Sequence, residues 1–243
     1  MKRFVLMALI AGFSGITISF SQQNFFNVPS SDITPKNALF FQQQCNFLSS
    51  SLQFNTTFSY GLGSSWEAGI NILGLTKEGK GFVINDSSVP YTPLLCFNAQ
   101  KKFHLNEHTS FATGGQLGFN TLGSASTYLY ANSVYHVEST KTKCIAGVYY
   151  TSDGFFGDEQ RSFFTNGFLR NVGFQFGFEQ HLLQDKLVFQ SDLITGKHDL
   201  GENVTGLAYF LTEYWILSAG YQFPLFNSTS KDAVVIELTY APD

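Results

Sequence analysis

Residues 104–108 read His104-Leu-Asn-Glu107-His108, the H-x-x-E-H order of one zinc-peptidase class. That chemistry needs a helix, which sets two imidazoles four apart on one face around a metal and leaves the carboxylate to act as general base. Asn106 and Thr109 favour a turn instead, and no helical apolar periodicity surrounds them. A polar turn is expected, with no metal site. His108 and Ser110 stand two apart, so on a strand they would share a face. Asp153, Asp158 and Glu159 cluster in a long connection, but their spacing fits no calcium loop, so solvated loop charges are expected. Cys45, Cys96 and Cys144 match no zinc spacing, and their odd number leaves at least one unpaired; they read as small packing residues in strands. No cofactor is expected.

A different set of polar residues is ordered by alternation. Glu67, Asn71, Asn98, Gln116, Asn120, Gln175, Glu179, Asp192 and Glu237 each oppose a run of apolar neighbours. Residues 172–179 are the clearest example: Val172, Phe174, Phe176 and Phe178 alternate with Gly173, Gln175, Gly177 and Glu179. Residues 52–60 repeat the theme with Leu52, Phe54, Phe58 and Tyr60 against Gln53, Asn55, Thr57 and Ser59. A period of two is a strand with one apolar and one polar face.

Composition decides which face meets water. The 243 residues are 44% hydrophobic and 16% aromatic, with 27 Phe and 11 Tyr, yet only 13% charged. That charge content is about half the usual share of a soluble domain. Mean hydropathy of +0.01 excludes a helical membrane bundle. The net charge of −4 leaves no basic patch, so nucleic acid is not an expected partner. Lys2 and Arg3 followed by an apolar run to about Phe20, with Ser19 and Ser21 before Gln22, have the layout of a cleaved secretory signal. The expected organisation is therefore a signal peptide over 1–21, an extended lead-in over 22–36 holding Pro29 and Pro35, and a β-domain over 37–243.

About twelve strands are expected, near 38–47, 52–60, 66–74, 93–103, 110–121, 128–137, 144–151, 172–179, 187–195, 204–211, 215–223 and 233–240. Each is close to the ~9–11 residues that a tilted strand needs to cross a bilayer. Joins alternate between short ones (61–65, 104–109, 138–143, 181–186, 213–214) and a set containing the longest (75–92, 152–167). Short turns on one rim and longer loops on the other are the habit of outer-membrane barrels. In hydrocarbon an unpaired backbone group costs several kcal/mol, so such a sheet must close on itself. The expected fold is all-β: a closed antiparallel up-and-down transmembrane β-barrel in the bacterial outer membrane. Its Phe-rich faces would touch outer-membrane lipid, and its carboxylates and amides would line a wet lumen. Tyr60, Trp66, Phe103, Trp215, Phe223 and Tyr240 would sit at the two interfaces. The weighed alternative is a secreted soluble β-sandwich, which would have to bury most of these rings between two sheets.

The stretch Phe58-Ser-Tyr-Gly-Leu-Gly-Ser-Ser-Trp-Glu-Ala-Gly69 resembles the strand–turn–strand signature of the phenol-degradation MetA-pathway, transporter-like outer-membrane barrels. Asp192, Thr195-Gly196, Leu200-Gly201 and Ala219-Gly220-Tyr221 are similar to C-terminal hairpins of related barrels. The resemblance implies uptake of small, often hydrophobic compounds and carries no substrate residue over. It departs at the end, Tyr240-Ala-Pro-Asp243, where such barrels usually finish on an aromatic residue. The expected function is a passive channel or transporter for small solutes. The rival is a non-conducting barrel that interacts through loops 75–92 and 152–167. Outer-membrane phospholipase activity at His108 and Ser110 is not expected, because the pair would lie at the rim away from the outer leaflet.

Overall fold

A computed structural model describes residues 24–84, 93–152, 155, 171–183 and 186–242. The expected signal peptide, the loop acids Asp153, Asp158 and Glu159, residues 85–92 of the first long loop and most of the second lie outside the described residues.

Among the described residues, thirteen strands make one antiparallel sheet: β1 (Leu39–Phe47), β2 (Ser51–Gly63), β3 (Trp66–Glu78), β4 (Gly81–Val83), β5 (Leu94–His104), β6 (Thr109–Asn120), β7 (Ala125–Val137), β8 (Thr142–Thr151), β9 (Val172–His181), β10 (Leu187–Ile194), β11 (Glu202–Phe210), β12 (Trp215–Pro224) and β13 (Ala233–Tyr240). Twelve of them close a barrel. β1 pairs with β2 on one side and with β13 on the other, from Phe41 opposite Tyr240 to Phe47 opposite Val234. No described barrel strand is therefore left with an open edge, as hydrocarbon requires. The short β4 is an addition to the expected set: it folds back on Thr76–Glu78, prolonging the β3 end beyond the barrel wall.

Strand faces follow the alternation. On β9, Phe174, Phe176 and Phe178 are 39%, 42% and 39% exposed, whereas Gln175 and Glu179 are buried. Phe58, Phe97, Phe103, Phe119 and Phe223 also point outward. A soluble sandwich would have hidden these rings. At the short-turn rim, Trp215 and Tyr240 meet at a tilt with centroids 5.1 Å apart, and Lys101 lies 5.3 Å over the Trp66 ring. Aromatic edges and a basic tip at one level suit a headgroup boundary.

The turns are tight where expected. Ser64 and Ser65, with φ of 51° and 60°, form the two-residue link between β2 and β3. Positive φ at both central positions is the hairpin geometry that matches strand twist. Higher on the same pair, Gly74 (φ 69°) sits in a bulge opposite Asn55, whose side-chain oxygen accepts the Gly74 N–H at 2.8 Å. The bulge lets β3 bend without leaving that donor unpaired.

The wet lumen expected from alternation is only partly wet. Residues 24–35, within the expected lead-in, lie inside the barrel. Asn37 (φ 66°) turns the chain from this segment into β1. Gly61 permits the crossing, because a Cβ there would fall 1.9 Å from the Pro35 carbonyl oxygen. Phe25 and Val28 join Leu94, Tyr128, Tyr130, Ile145, Tyr149 and Ile194 in an apolar cluster within the lumen. The inward face is mixed for that reason: part of it covers the segment's own apolar side chains, and the rest is polar.

Candidate functional site: the lumen

The occupant segment is held by wall groups at several levels. Near the short-turn rim, Glu67 on β3 accepts both the N–H and the hydroxyl of Thr34, each at 2.9 Å. One level deeper, Asp32 lies 3.0 Å from Lys143 on β8 and 3.6 Å from Lys102 on β5. Lys143 also reaches Glu179 on β9 at 2.8 Å. A buried ammonium is tolerable only when so paired. Gln100 donates to the Asp32 carbonyl at 3.2 Å, and the Ser31 and Ser110 hydroxyls meet at 2.6 Å.

At mid-height the wall forms a relay. Tyr128 donates to Gln175, Gln175 to Asn132, and Asn132 to the Pro29 carbonyl at 2.6 Å. Toward the long-loop rim, Asp192 on β10 accepts the backbone N–H groups of Asn27 and Val28 at 2.5 and 2.8 Å. The Asn27 side chain donates to Glu202 at 2.8 Å. Hydrogen bonds of this kind contribute about 0.5–1.5 kcal/mol each. Two wall glycines make room for rings: a Cβ at Gly177 would lie 2.4 Å from Phe25, and one at Gly220 2.8 Å from Phe26.

Beside the segment a cleft of about 470 Å³ with a mixed polar and apolar lining remains against β1–β3 and β5–β6. Its lining runs from Leu48, Glu78, Val83, Asp199 and Lys231, where Glu78 and Lys231 are exposed, to the buried Ser59, Glu67 and Gln100. Its wall carries many amides, including Gln42, Gln44, Asn46, Gln53, Asn55, Asn71, Asn98, Gln116 and Gln222, beside apolar groups such as Leu73, Val83, Ile194 and Leu200. Asn98 donates to Asn71 at 2.7 Å, and Asn71 to Gln116 at 3.0 Å, so one ladder of amides crosses β5, β3 and β6.

Of the residues singled out by alternation, Asn71, Asn98 and Gln116 thus face this cleft, with Glu67 at its base. Gln175, Glu179 and Asp192 serve the occupant segment or its partners. Glu237 is buried on β13, where it accepts from Thr239 at 3.3 Å. Asn120 is at the rim, its side-chain oxygen taking the Leu122 and Ser124 N–H groups of the turn. Alternation missed Lys102, Lys143 and Asp32 altogether. β8 places Ile145 and Tyr149 inward together with Lys143, so no polar face is visible in its sequence. A signal did exist in β1, where Gln42, Gln44 and Asn46 alternate, but Gln43 on the outer face blurs it.

The other motifs resolve into structure. His104–His108 spans a hairpin turn capped by Asn106, whose side-chain oxygen accepts the N–H groups of His108 and Thr109. The helix that zinc-peptidase chemistry needs is not formed there. His108 faces Glu138 at 3.5 Å, while the Ser110 hydroxyl is turned into the lumen against Ser31. All three cysteines are free.

No family model and no curated protein sequence matches the chain. Solved structures do match in fold. The KdgM porin superposes with a TM-score of 0.59 at 8% identity, over 84% of this chain and 99% of that one. A second structure of that porin, in complex with disordered oligogalacturonate, gives 0.57 over the same shares. The NanC porin gives 0.54 at 12% identity, over 85% of this chain and 100% of that one. At these identities the likeness is one of fold: a closed twelve-stranded barrel of the outer-membrane porin type.

Proposed function

We propose that this protein is a bacterial outer-membrane channel for small polar solutes, closed in the state described by its own residues 24–35. The observation that carries the reading is the amide-rich cleft, which runs from the exposed Glu78 and Lys231 to where Thr34 meets Glu67 and Gln100 meets Asp32. Side-chain amides offer both donors and acceptors, so they replace the hydration of uncharged, hydrogen-bonding solutes without fixing a charge. That wall favours polar solutes over the hydrophobic ones implied by the family resemblance. The oligogalacturonate bound by the KdgM porin is a polyanion. Here Glu67, Glu78 and Asp199 line the cleft against Lys231 as its one described cation, so an anionic oligomer is disfavoured. The reading assigns the barrel no catalytic role.

Flux from liposomes tests this. Glycerol and a neutral hexose should pass a folded barrel lacking residues 24–34 at least tenfold faster than the intact protein. A folded, heat-modifiable deletion variant that passes neither solute refutes the channel. The non-conducting alternative draws support from one feature, the apolar cluster that Phe25 and Val28 form with the wall, and that result would favour it.

A further inference from the structure

The wall holds residues 24–34 as a receptor holds a peptide. Backbone donors of the segment go to buried carboxylates: Asn27 and Val28 N–H to Asp192, Thr34 N–H to Glu67. Its backbone acceptors go to amide donors: the Pro29 carbonyl to Asn132, the Asp32 carbonyl to Gln100. A strand adding to a sheet edge would satisfy these groups with backbone. Here side chains do it, from five different strands, β3, β5, β7, β8 and β10, counting the ion pair below. Two side-chain anchors converge on one cation, because the Phe25 N–H closes a turn on the Val28 carbonyl at 3.1 Å and Asn24 comes back beside Pro29. Phe25 lies with the Lys143 ammonium 4.9 Å from its ring centre, over the space left by Gly177. Seven residues later Asp32 pairs with the same Lys143 and with Lys102.

We infer that the lumen wall is a binding site for a peptide folded back on itself by a turn, bearing an aromatic residue in the turn and, seven positions on, a carboxylate that returns to the same lysine, and that residues 24–34 are its occupant in cis. The inference goes beyond the proposed channel by naming a ligand class for the wall, and it stands whether or not solutes flow. The segment's covalent tie is a short exposed link at Lys36 and Asn37. Cutting that link leaves a non-covalent complex in which the occupant exchanges with the same peptide supplied from solution.

The experiment inserts a specific protease site between Lys36 and Asn37, so that the full chain folds with the segment in place before it is cut. A fluorescent synthetic peptide of residues 24–36 is then added to the cleaved barrel in detergent. Expected are exchange approaching one peptide per barrel and competition at least tenfold weaker by the Asp32→Ala peptide. A scrambled peptide of the same composition should not compete. Absence of exchange, under mild urea that leaves the barrel folded, overturns the site by showing the segment to be a fixed part of the fold. Equal competition by the scrambled peptide overturns it too, showing unspecific filling. Solute flux through the cleaved, washed barrel is read separately: exchange without flux leaves the peptide site standing and removes the channel.

Discussion

Gly177 and Gly220 show how single wall positions decide what the lumen contains. Each is a place where any side chain would enter a ring of the occupant segment, Phe25 in one case and Phe26 in the other. Gly177→Leu should therefore loosen the segment while sparing the ladder bonds of β9. Overpacking of this kind costs about 1–3 kcal/mol, or roughly 5- to 150-fold in the docked-to-free ratio. Limited proteolysis should cut residues 24–36 of the variant correspondingly faster, with the barrel still resistant; an unchanged rate would show that Phe25 does not hold the segment. His198 offers a second test, in the loop between β10 and β11. It is 3% exposed, and burial lowers its pKa from 6.5 to about 4, against a smaller opposing contribution from a bond to the Thr195 backbone. The Leu200 N–H donates to Nδ1, so the neutral ring carries its proton on Nε2, which faces the Tyr149 hydroxyl at 2.6 Å. Because the folded value is depressed, the contribution of the neutral ring is whole above pH 6.5 and shrinks as pH falls toward 4. The full span corresponds to on the order of 3 kcal/mol of local stability. Proteolysis of loop 195–201 should accelerate over that interval, and His198→Gln should flatten the dependence.

Among the elements, β9 has the simplest physics. Its outer face is three phenylalanines and its inner face is glycine, amide and carboxylate, so the strand is stable only with lipid on one side. Phe176 pairs with Leu193 on β10 and Ala146 on β8, which puts it near mid-strand. Phe176→Lys should destabilise the folded barrel by about 2–4 kcal/mol, measured by urea unfolding in vesicles. Gln175→Leu, one residue away and facing inward, should instead break the relay from Tyr128 through Asn132 to Pro29. A similar loss for both would mean that the faces are misassigned. β8 was hard to phase because Ile145 and Tyr149 turn inward beside Lys143. The pattern is ambiguous wherever the lumen is packed instead of wet.

For the whole molecule, the interior is divided. One side is a packed unit of segment and wall, and the other is a cleft of about 470 Å³ that reaches the exposed Glu78 and Lys231. In the proposed channel, the contacts to test for closure are the lower ones, where Asp32 joins Lys143 and Lys102 while Thr34 joins Glu67. Removing one partner of a buried pair costs ~3–5 kcal/mol, reduced here because Lys143 keeps Glu179. With about 2 kcal/mol lost, Asp32→Ala should raise the open fraction of single channels by about 30-fold. Conductance records no different from the intact protein would show that closure does not run through Asp32.

Much of this was legible from residue order alone. Alternation of Phe with Gly, Gln and Glu sets which face of each strand meets lipid, because a period of two leaves no other assignment once charge is scarce. Strand number and the alternation of short and long joins follow from the same pattern, and hydrocarbon then demands closure. The fate of residues 24–35 was not legible. Phe25, Phe26, Pro29, Asp32 and Thr34 carry no period, and their partners lie on strands as distant in sequence as β8 and β10. Only closing the sheet brings Asp192, Lys143, Asn132 and Glu67 around one axis, and only then do a polar segment and a set of inward carboxylates become each other's partners.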